Sequence, residues 1–232
     1  MTRIFGPYVS VTRGIDVSRG MVAAYNSRVE AAGLSGESVR AVQGDLFDDG
    51  DASGEESSGR EWCGFDIVAV GFGFHHFPDV VRSARRLKER LRPGGVLVVS
   101  DFVEGGDVLA DEKGEAVQGS EGNHAVHSHG HGHGHGHSHE HHAHHHDGKE
   151  DKMHGVDESS PELEKKMAES VVVPHFSVQG VKDFFTEAGF VDVDVITMDE
   201  RVYMEFAGKK LWRTILFARG RRPFESGERS EL

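Results

Sequence analysis

Two continuous apolar runs, separated by one amphipathic segment, constrain the fold of this chain most strongly. The first run is FDIVAVGF at residues 65–72, and the second covers residues 96–102. Between them, residues 79–91 place Val, Ala and Leu on one stripe of a predicted helix. Continuous apolar strands are typical of parallel sheets covered on both faces. The pattern therefore predicts a strand–helix–strand unit within an α/β fold.

The same alternation is found on both sides of this unit. Upstream, strands are predicted at residues 9–16 and 39–44, with a helix between them that is capped by Ser18 and stopped by Gly33. Downstream, helices are predicted at residues 161–168 and after Ser177. Residues 190–196 alternate apolar with acidic side chains, which favours a half-exposed antiparallel edge strand. The last strand is expected at residues 211–218. We therefore expect a mostly parallel sheet with helices on both faces.

Composition indicates a single domain that is interrupted by two stretches of low complexity. Residues 48–60 form an acidic Gly/Ser loop, and residues 104–160 are rich in His, Gly and acidic side chains. Neither stretch holds enough apolar surface to offset the entropy of ordering, so both are predicted to be disordered. We expect residues 1–103 and 161–221 to form the two parts of a single domain, with a tail at 222–232.

Charge and cysteine content narrow the class of protein. The net charge of −13 disfavours nucleic acid as an electrostatic partner. Cys63 is the single cysteine, which fits a reducing compartment. No apolar run approaches the ~20 residues that span a membrane, and no secretory signal begins the sequence. We therefore expect a soluble, cytoplasmic protein with no membrane partner.

Several short motifs are informative because of their order along the chain. Gly14-Ile15-Asp16-Val17-Ser18 is followed by Met21, then by Gly44-Asp45-Leu46. Next come Phe65-Asp66, His75-His76 and Leu91-Arg92-Pro93-Gly94-Gly95, and Ala188-Gly189-Phe190 and Ala218-Arg219-Gly220 stand near the end. Together they resemble class I S-adenosylmethionine-dependent methyltransferases of the small-molecule branch. The resemblance implies a Rossmann-like sheet with strand order 3-2-1-4-5, S-adenosylmethionine as cofactor and a small-molecule methyl acceptor.

The resemblance also implies a set of cofactor contacts. Asp16 would receive hydrogen bonds from the two ribose hydroxyls, because a carboxylate can accept from both. Alternatively, Asp16 caps the next helix. The remaining implied cofactor contacts are Val17, Met21, Asp45, Leu46, Phe72 and Gly73. Asp45 and Leu46 could equally form a simple turn, and Gly73 could serve only to fit the backbone.

One feature of the family is missing from the sequence. Its first strand ends in a glycine-rich loop of the DxGxGxG type, which lets the backbone approach the cofactor closely. No such sequence precedes Gly14, and residues 1–7 look like the helix that follows the loop. We therefore expect the chain to begin just after that loop and to lack the first strand, and we expect impaired methyl transfer. Whether this is a true enzyme stays open at this point.

Histidines offer two further interpretations. His75 and His76 could act as general bases if the methyl acceptor must lose a proton, or they could only pack and cap the next helix. His175 lies in a loop that could form a lid. A flexible tract could bind Zn, Ni or Cu loosely, or could be an inert low-complexity insert. The candidate ligands in this tract are His129, His131, His133, His135, His137, His139, His141 and His142.

Two other functions remain as alternatives. The chain could be a non-catalytic methyltransferase remnant that buffers metal or binds a partner. Gly71-Phe72-Gly73 follows a predicted strand, with Asp101 at the end of the next one, which could indicate an NAD-binding unit. No third glycine follows, however, and Pro78-Asp79 opens the helix instead.

Overall fold

The computed structural model of the protein describes residues 2–45, 59–124, 170–206 and 208–225. Short 3-10 turns at Gly6–Tyr8, Arg60–Trp62 and Phe74–His76 join some of the longer elements. The helices are α1 Thr2–Phe5, α2 Arg19–Ala31, α3 Val80–Arg90 and α4 Val178–Glu187. The strands are β1 Thr12–Asp16, β2 Val39–Gln43, β3 Phe65–Gly71, β4 Leu91–Leu109, β5 Val191–Thr197, β6 Val202–Phe206 and β7 Lys209–Arg221.

Strands β1 and β2 form a two-stranded parallel sheet, and α2 is their crossover helix. Ser18 caps the helix by accepting a hydrogen bond from the Met21 backbone, as predicted. The Asn26 side chain then ties α2 to β2, since it both donates to the Ala41 carbonyl and accepts from the Ala41 amide. Beyond the helix, Gly33 has a φ of 67°, a conformation that glycine adopts without strain.

The remaining strands form a mixed sheet in the order β3-β4-β7-β5, and β6 also pairs with β7. Strands β3 and β4 are parallel, with α3 as their crossover. Strand β7 runs antiparallel to β4, β5 and β6. The predicted Rossmann-like α/β fold is confirmed. Among the described strands, β5 lies at an edge and is antiparallel, as its alternating pattern predicted.

Helices α3 and α4 contact each other and share one apolar core with the mixed sheet. Asp79 caps α3 through a hydrogen bond from the Arg82 amide, and Ser177 caps α4 in the same way through Gly180. The core joins apolar side chains of both helices to those of the sheet. Its fully buried members include Phe74, Ala84, Leu91, Leu97, Val99, Val181, Phe185, Ala188, Leu216 and Ala218.

Strand β4 corrects two of the predictions. The Pro93-Gly94-Gly95 turn was expected to precede a separate strand, but β4 passes through it and reaches Leu109. The insert was expected to begin at residue 104, yet residues 110–124 return along β4, with hydrogen bonds between Asp107 and Gly122. The physical reason is the length of β7, which supplies antiparallel partners for β4 as far as Leu109. The sequence also gave no signal for β6.

Strands β1 and β3 do not pair with each other in the described part of the chain. A link between the two sheets is the Arg40 side chain of β2. It lies 3.5 Å from a Glu61 carboxylate oxygen and over the Trp62 ring, 5.6 Å from its centre. Each of β1 and β3 therefore has one edge without ladder hydrogen bonds to another described strand.

Some predicted segments lie outside the described residues. They are the acidic loop up to residue 58, the histidine tract from residue 125, the helix at residues 161–168 and the end of the tail from residue 226. Within the described ranges, no helix is both long and apolar enough to cross a membrane.

Candidate functional site

The first group of predicted site residues lies at the carboxyl ends of β1 and β2. Asp16 is exposed, and its Oδ1 accepts a hydrogen bond of 2.8 Å from the Ser18 amide. Asp16 therefore does brace the start of α2, which was the alternative interpretation. Among the described residues, Oδ2 of Asp16 receives no hydrogen bond from a side chain or amide. That oxygen can accept from a ligand hydroxyl.

Exposed apolar side chains flank this carboxylate in the sequence. Val17 is 64% exposed and Met21 is 61% exposed, so both side chains are accessible to an apolar part of a ligand. The Val17 carbonyl accepts from the Gln43 side chain at 3.1 Å, so the ends of β1 and β2 are joined. Asp45 follows β2 and is exposed, whereas Leu46 lies outside the described residues.

The second group follows β3, and its first member is Phe72. This residue has a φ of 52°, which is rare for a bulky side chain and costs on the order of 1–3 kcal/mol. Its ring is 43% exposed and stacks on Phe102 with a 5.2 Å separation of centres. Gly73 comes next, and a Cβ there would lie 3.3 Å from the Val70 side chain. Strain of this kind is typical of functional sites.

A buried histidine–aspartate pair lies near Phe102, on which Phe72 stacks. The Nδ1 atom of His75 is 2.9 Å from Oδ1 of Asp101, and the His75 amide donates to Oδ2 at 3.1 Å. Oδ1 also accepts from the Phe102 amide at 2.9 Å. Because the ionised carboxylate only accepts hydrogen bonds, Nδ1 of His75 is the donor, and the neutral ring keeps its acceptor on Nε2.

His76 has different surroundings from His75, although the two ring centres lie only 4.1 Å apart. Its side chain is exposed, and Nδ1 lies 2.9 Å from the Ser170 carbonyl oxygen. The His75 carbonyl accepts from the amides of Val172 and Val173. Residues 170–173 therefore contact both histidines.

A second buried carboxylate on β4, Asp107, forms the centre of another polar cluster. Its Oδ1 accepts from Nε of Arg213 at 2.8 Å, and its Oδ2 lies 2.7 Å from Nε2 of His175. The His124 amide donates to the same Oδ2 at 3.2 Å. Burial acts to raise the pKa of Asp107, but hydrogen bonds from His175 and Arg213 together hold it below its usual value.

Arg213 connects this cluster to the histidine pair. Its guanidinium carbon lies 3.4 Å from the centre of the Phe102 ring, and the His75 ring lies 5.6 Å from the same centre. Sequence reasoning missed Arg213 and Asp107, and it noted Asp101 only as a strand-end acid. A signal was present, because both aspartates interrupt or follow a strongly apolar strand.

Metal binding finds no support among the described residues, where no three His, Cys, Asp or Glu side chains are placed to hold an ion. The eight histidines predicted as loose metal ligands lie outside these residues. The NAD alternative requires a helix directly after the glycine pair, but a 3-10 turn follows Gly73 and Asp79 caps α3.

Comparison with known proteins agrees with this geometry. Residues 2–97 match a family described as a methyltransferase domain. The chain is 36% identical over 103 residues to an uncharacterized methyltransferase of Schizosaccharomyces pombe, covering 44% of this chain and 35% of that protein. It is 30% identical over 108 residues to the uncharacterized methyltransferase YcgJ of Bacillus subtilis, covering 47% and 38%. The matched segment thus spans somewhat over a third of each relative.

A solved structure shares the fold. A putative methyltransferase of Bacillus halodurans superposes with a TM-score of 0.52 at 13% identity, covering 96% of this chain and 87% of that one. At this identity the match concerns the fold alone. The sequence match and the shared fold lead to one conclusion: residues 2–97 match a methyltransferase domain, and the chain is similar to class I S-adenosylmethionine-dependent methyltransferases.

Proposed function

We propose that this protein transfers a methyl group from S-adenosylmethionine to a small-molecule acceptor. The observation that carries the proposal is the buried His75–Asp101 pair near the strained Phe72, where β3 ends alongside β4. In open α/β sheets, ligands bind outside the carboxyl ends of the strands. The similarity to methyltransferases suggests the reaction class, and the pair supplies a group able to take up a proton.

Asp16, Val17, Met21, Asp45 and Leu46 would hold the nucleoside part of the cofactor. The open Oδ2 of Asp16 fits a pair of vicinal hydroxyls, and the exposed Val17 and Met21 fit an apolar ring. When bound, S-adenosylmethionine supplies an electrophilic methyl group on a sulfonium. Since the sequence contains no DxGxGxG loop, we propose that binding rests on nucleoside contacts and is weak.

The residues of the chain would act mainly by positioning the methyl acceptor against the cofactor. Methyl transfer depends on holding the nucleophile in line with the methyl group, which the exposed ring of Phe72 can favour by packing on a flat acceptor. For a hydroxyl acceptor, Nε2 of His75 takes the proton while Asp101 holds Nδ1 and stabilises the resulting imidazolium. For an amine acceptor that is already neutral, His75 has no proton to take before the transfer.

Isothermal titration of the chain with S-adenosylmethionine tests the cofactor assignment. We expect a dissociation constant weaker than micromolar, and we expect Asp16→Asn to weaken it about tenfold further, because a carboxylate accepts charge-assisted hydrogen bonds. Asp199→Asn changes another exposed aspartate in a turn and serves as the matched control. Micromolar or tighter binding would contradict the proposed weakness. An unchanged affinity in Asp16→Asn would overturn the assignment of Asp16.

A further inference from the structure

The Arg213 guanidinium is buried but only partly satisfied by the described residues. The residue is 1% exposed, and its Nε donates to Asp107. Its Nη2 is also buried and has no acceptor in the described part of the chain. Buried guanidinium donors are normally paired, since desolvation without a hydrogen bond is costly. A donor left open in this way is suited to an acceptor that arrives with a ligand.

Neighbouring groups keep Arg213 charged and fix its position. Burial lowers the pKa of Arg213, and the hydrogen bond to Asp107 opposes that change, so the group stays charged at neutral pH. Asp107 in turn is fixed by His175, at 2.7 Å. Because Asp107 shares its charge between Arg213 and His175, the guanidinium retains capacity for a second anionic partner.

The position of Arg213 relates it to the proposed reaction. Its guanidinium packs on the Phe102 ring, on which Phe72 also stacks and beside which His75 lies. The proposed base and the open donor therefore flank one aromatic ring, within the span of a small acceptor. Phe72 is the exposed member of this cluster, so a ligand entering from solvent meets it first.

We propose that Arg213 binds an acidic oxygen group, a carboxylate, of the methyl acceptor and so selects anionic, flat acceptors. This proposal rests on the proposed methyl transfer for its biological meaning, but the binding itself does not require the cofactor. Nη2 donates to one carboxylate oxygen, and the exposed ring of Phe72 packs on the body of the acceptor. Asp107 and His175 act as positioning residues, because they orient the guanidinium without touching the ligand.

Fluorine NMR with two probes of similar shape tests the proposal without the cofactor. The probes are 4-fluorobenzoate and 4-fluorobenzyl alcohol, each titrated into the full chain. We expect saturable broadening with 4-fluorobenzoate and at least about tenfold weaker binding of the neutral alcohol. Arg213→Gln should weaken 4-fluorobenzoate about tenfold and leave the alcohol unchanged, and Arg213→Lys should restore part of the affinity. Arg201→Gln, at an exposed position, is the matched control.

Equal binding of the two probes to the unaltered protein would overturn the proposal, as would an unchanged affinity for 4-fluorobenzoate in Arg213→Gln. If Arg213→Gln does not fold, the unaltered protein and Arg213→Lys decide between the outcomes, since a purely structural arginine gives no preference for the charged probe. The cofactor titration is independent of this experiment. A failure of the Asp16 assignment therefore leaves the Arg213 result intact, and the reverse also holds.

Discussion

His75 and Asp101 are joined twice, once through the imidazole and once through the His75 amide, to the two oxygens of one carboxylate. Asp101 is fully buried and His75 is 6% exposed. The backbone and the ring are thus fixed by the same group. The arrangement leaves the imidazole little freedom to rotate, as a positioned base requires.

Replacement of His75 by Gln should lower kcat for a hydroxyl acceptor by about 10²- to 10⁴-fold, because the variant cannot take the proton. His76→Gln is the matched control, since its ring is exposed and contacts the Ser170 carbonyl. We expect it to reduce kcat by less than about tenfold. The rate of S-adenosylhomocysteine release measures both. Full activity of His75→Gln on a hydroxyl acceptor would exclude His75 as the base.

Asp107→Asn should destabilise the protein by about 3–5 kcal/mol at pH 7, because it leaves the Arg213 charge buried without its partner. The folded-state pKa of Asp107 lies below its ordinary value, so this carboxylate stabilises the fold at all pH values above that ordinary value. The contribution is lost as the pH falls through the lower, folded-state pKa. Urea unfolding between pH 7 and pH 3 should therefore show a weaker acid dependence in the variant than in Asp199→Asn.

Gly220→Ala should destabilise the protein by about 1–3 kcal/mol through overpacking. A Cβ at this position would lie 2.5 Å from a ring carbon of Phe185 and 3.0 Å from Cβ of Phe190, both in the core. Gly36→Ala is the control, since nothing lies within 4 Å of its Cβ position. Chemical denaturation of both variants gives the comparison. Equal stability of the two would show that the core around α4 adapts freely.

The 232-residue chain alone should aggregate readily. Strands β1 and β3 each leave one edge unpaired among the described strands, and open edges template association between chains. Light scattering and urea unfolding of the purified chain test this. A sharp urea transition with well-dispersed amide resonances would contradict it.

The histidine tract should bind zinc or nickel independently of the fold, because neutral imidazoles are general ligands for these metals. Deletion of residues 125–158 should abolish the binding and leave the unfolding midpoint unchanged. The deletion must spare residues 105–124, because Asp107 and His124 belong to the buried cluster. A large loss of stability would show that residues 125–158 support the fold. Binding is measured by equilibrium dialysis of the untagged chain.

The sequence predicted the regular elements well, because their signals are local. Caps such as Ser18 and Ser177 and the apolar runs of β3 and β4 were each found where expected. The extension of β4 to Leu109 was missed, since residues 103–109 are Gly-rich and acidic. Their strand conformation depends on pairing with β7, which is distant in sequence.

The site was predicted less completely than the fold. Asp16, Phe72 and His75 could be proposed from the sequence because each lies at or shortly after the end of a predicted strand. Arg213 lies within the apolar last strand, 106 residues from its partner Asp107, so only the three-dimensional structure brings the two together. Contacts between residues that are far apart in sequence produce no periodic pattern in a single sequence.

The two chain segments that border residues 125–169 meet at a single atom. Oδ2 of Asp107 accepts from the His124 amide on one side and lies 2.7 Å from the His175 ring on the other. The ends of the intervening segment are thus held together by the folded domain itself. The folded domain therefore fixes the distance between the two points, His124 and His175, from which the chain continues toward residues 125–169.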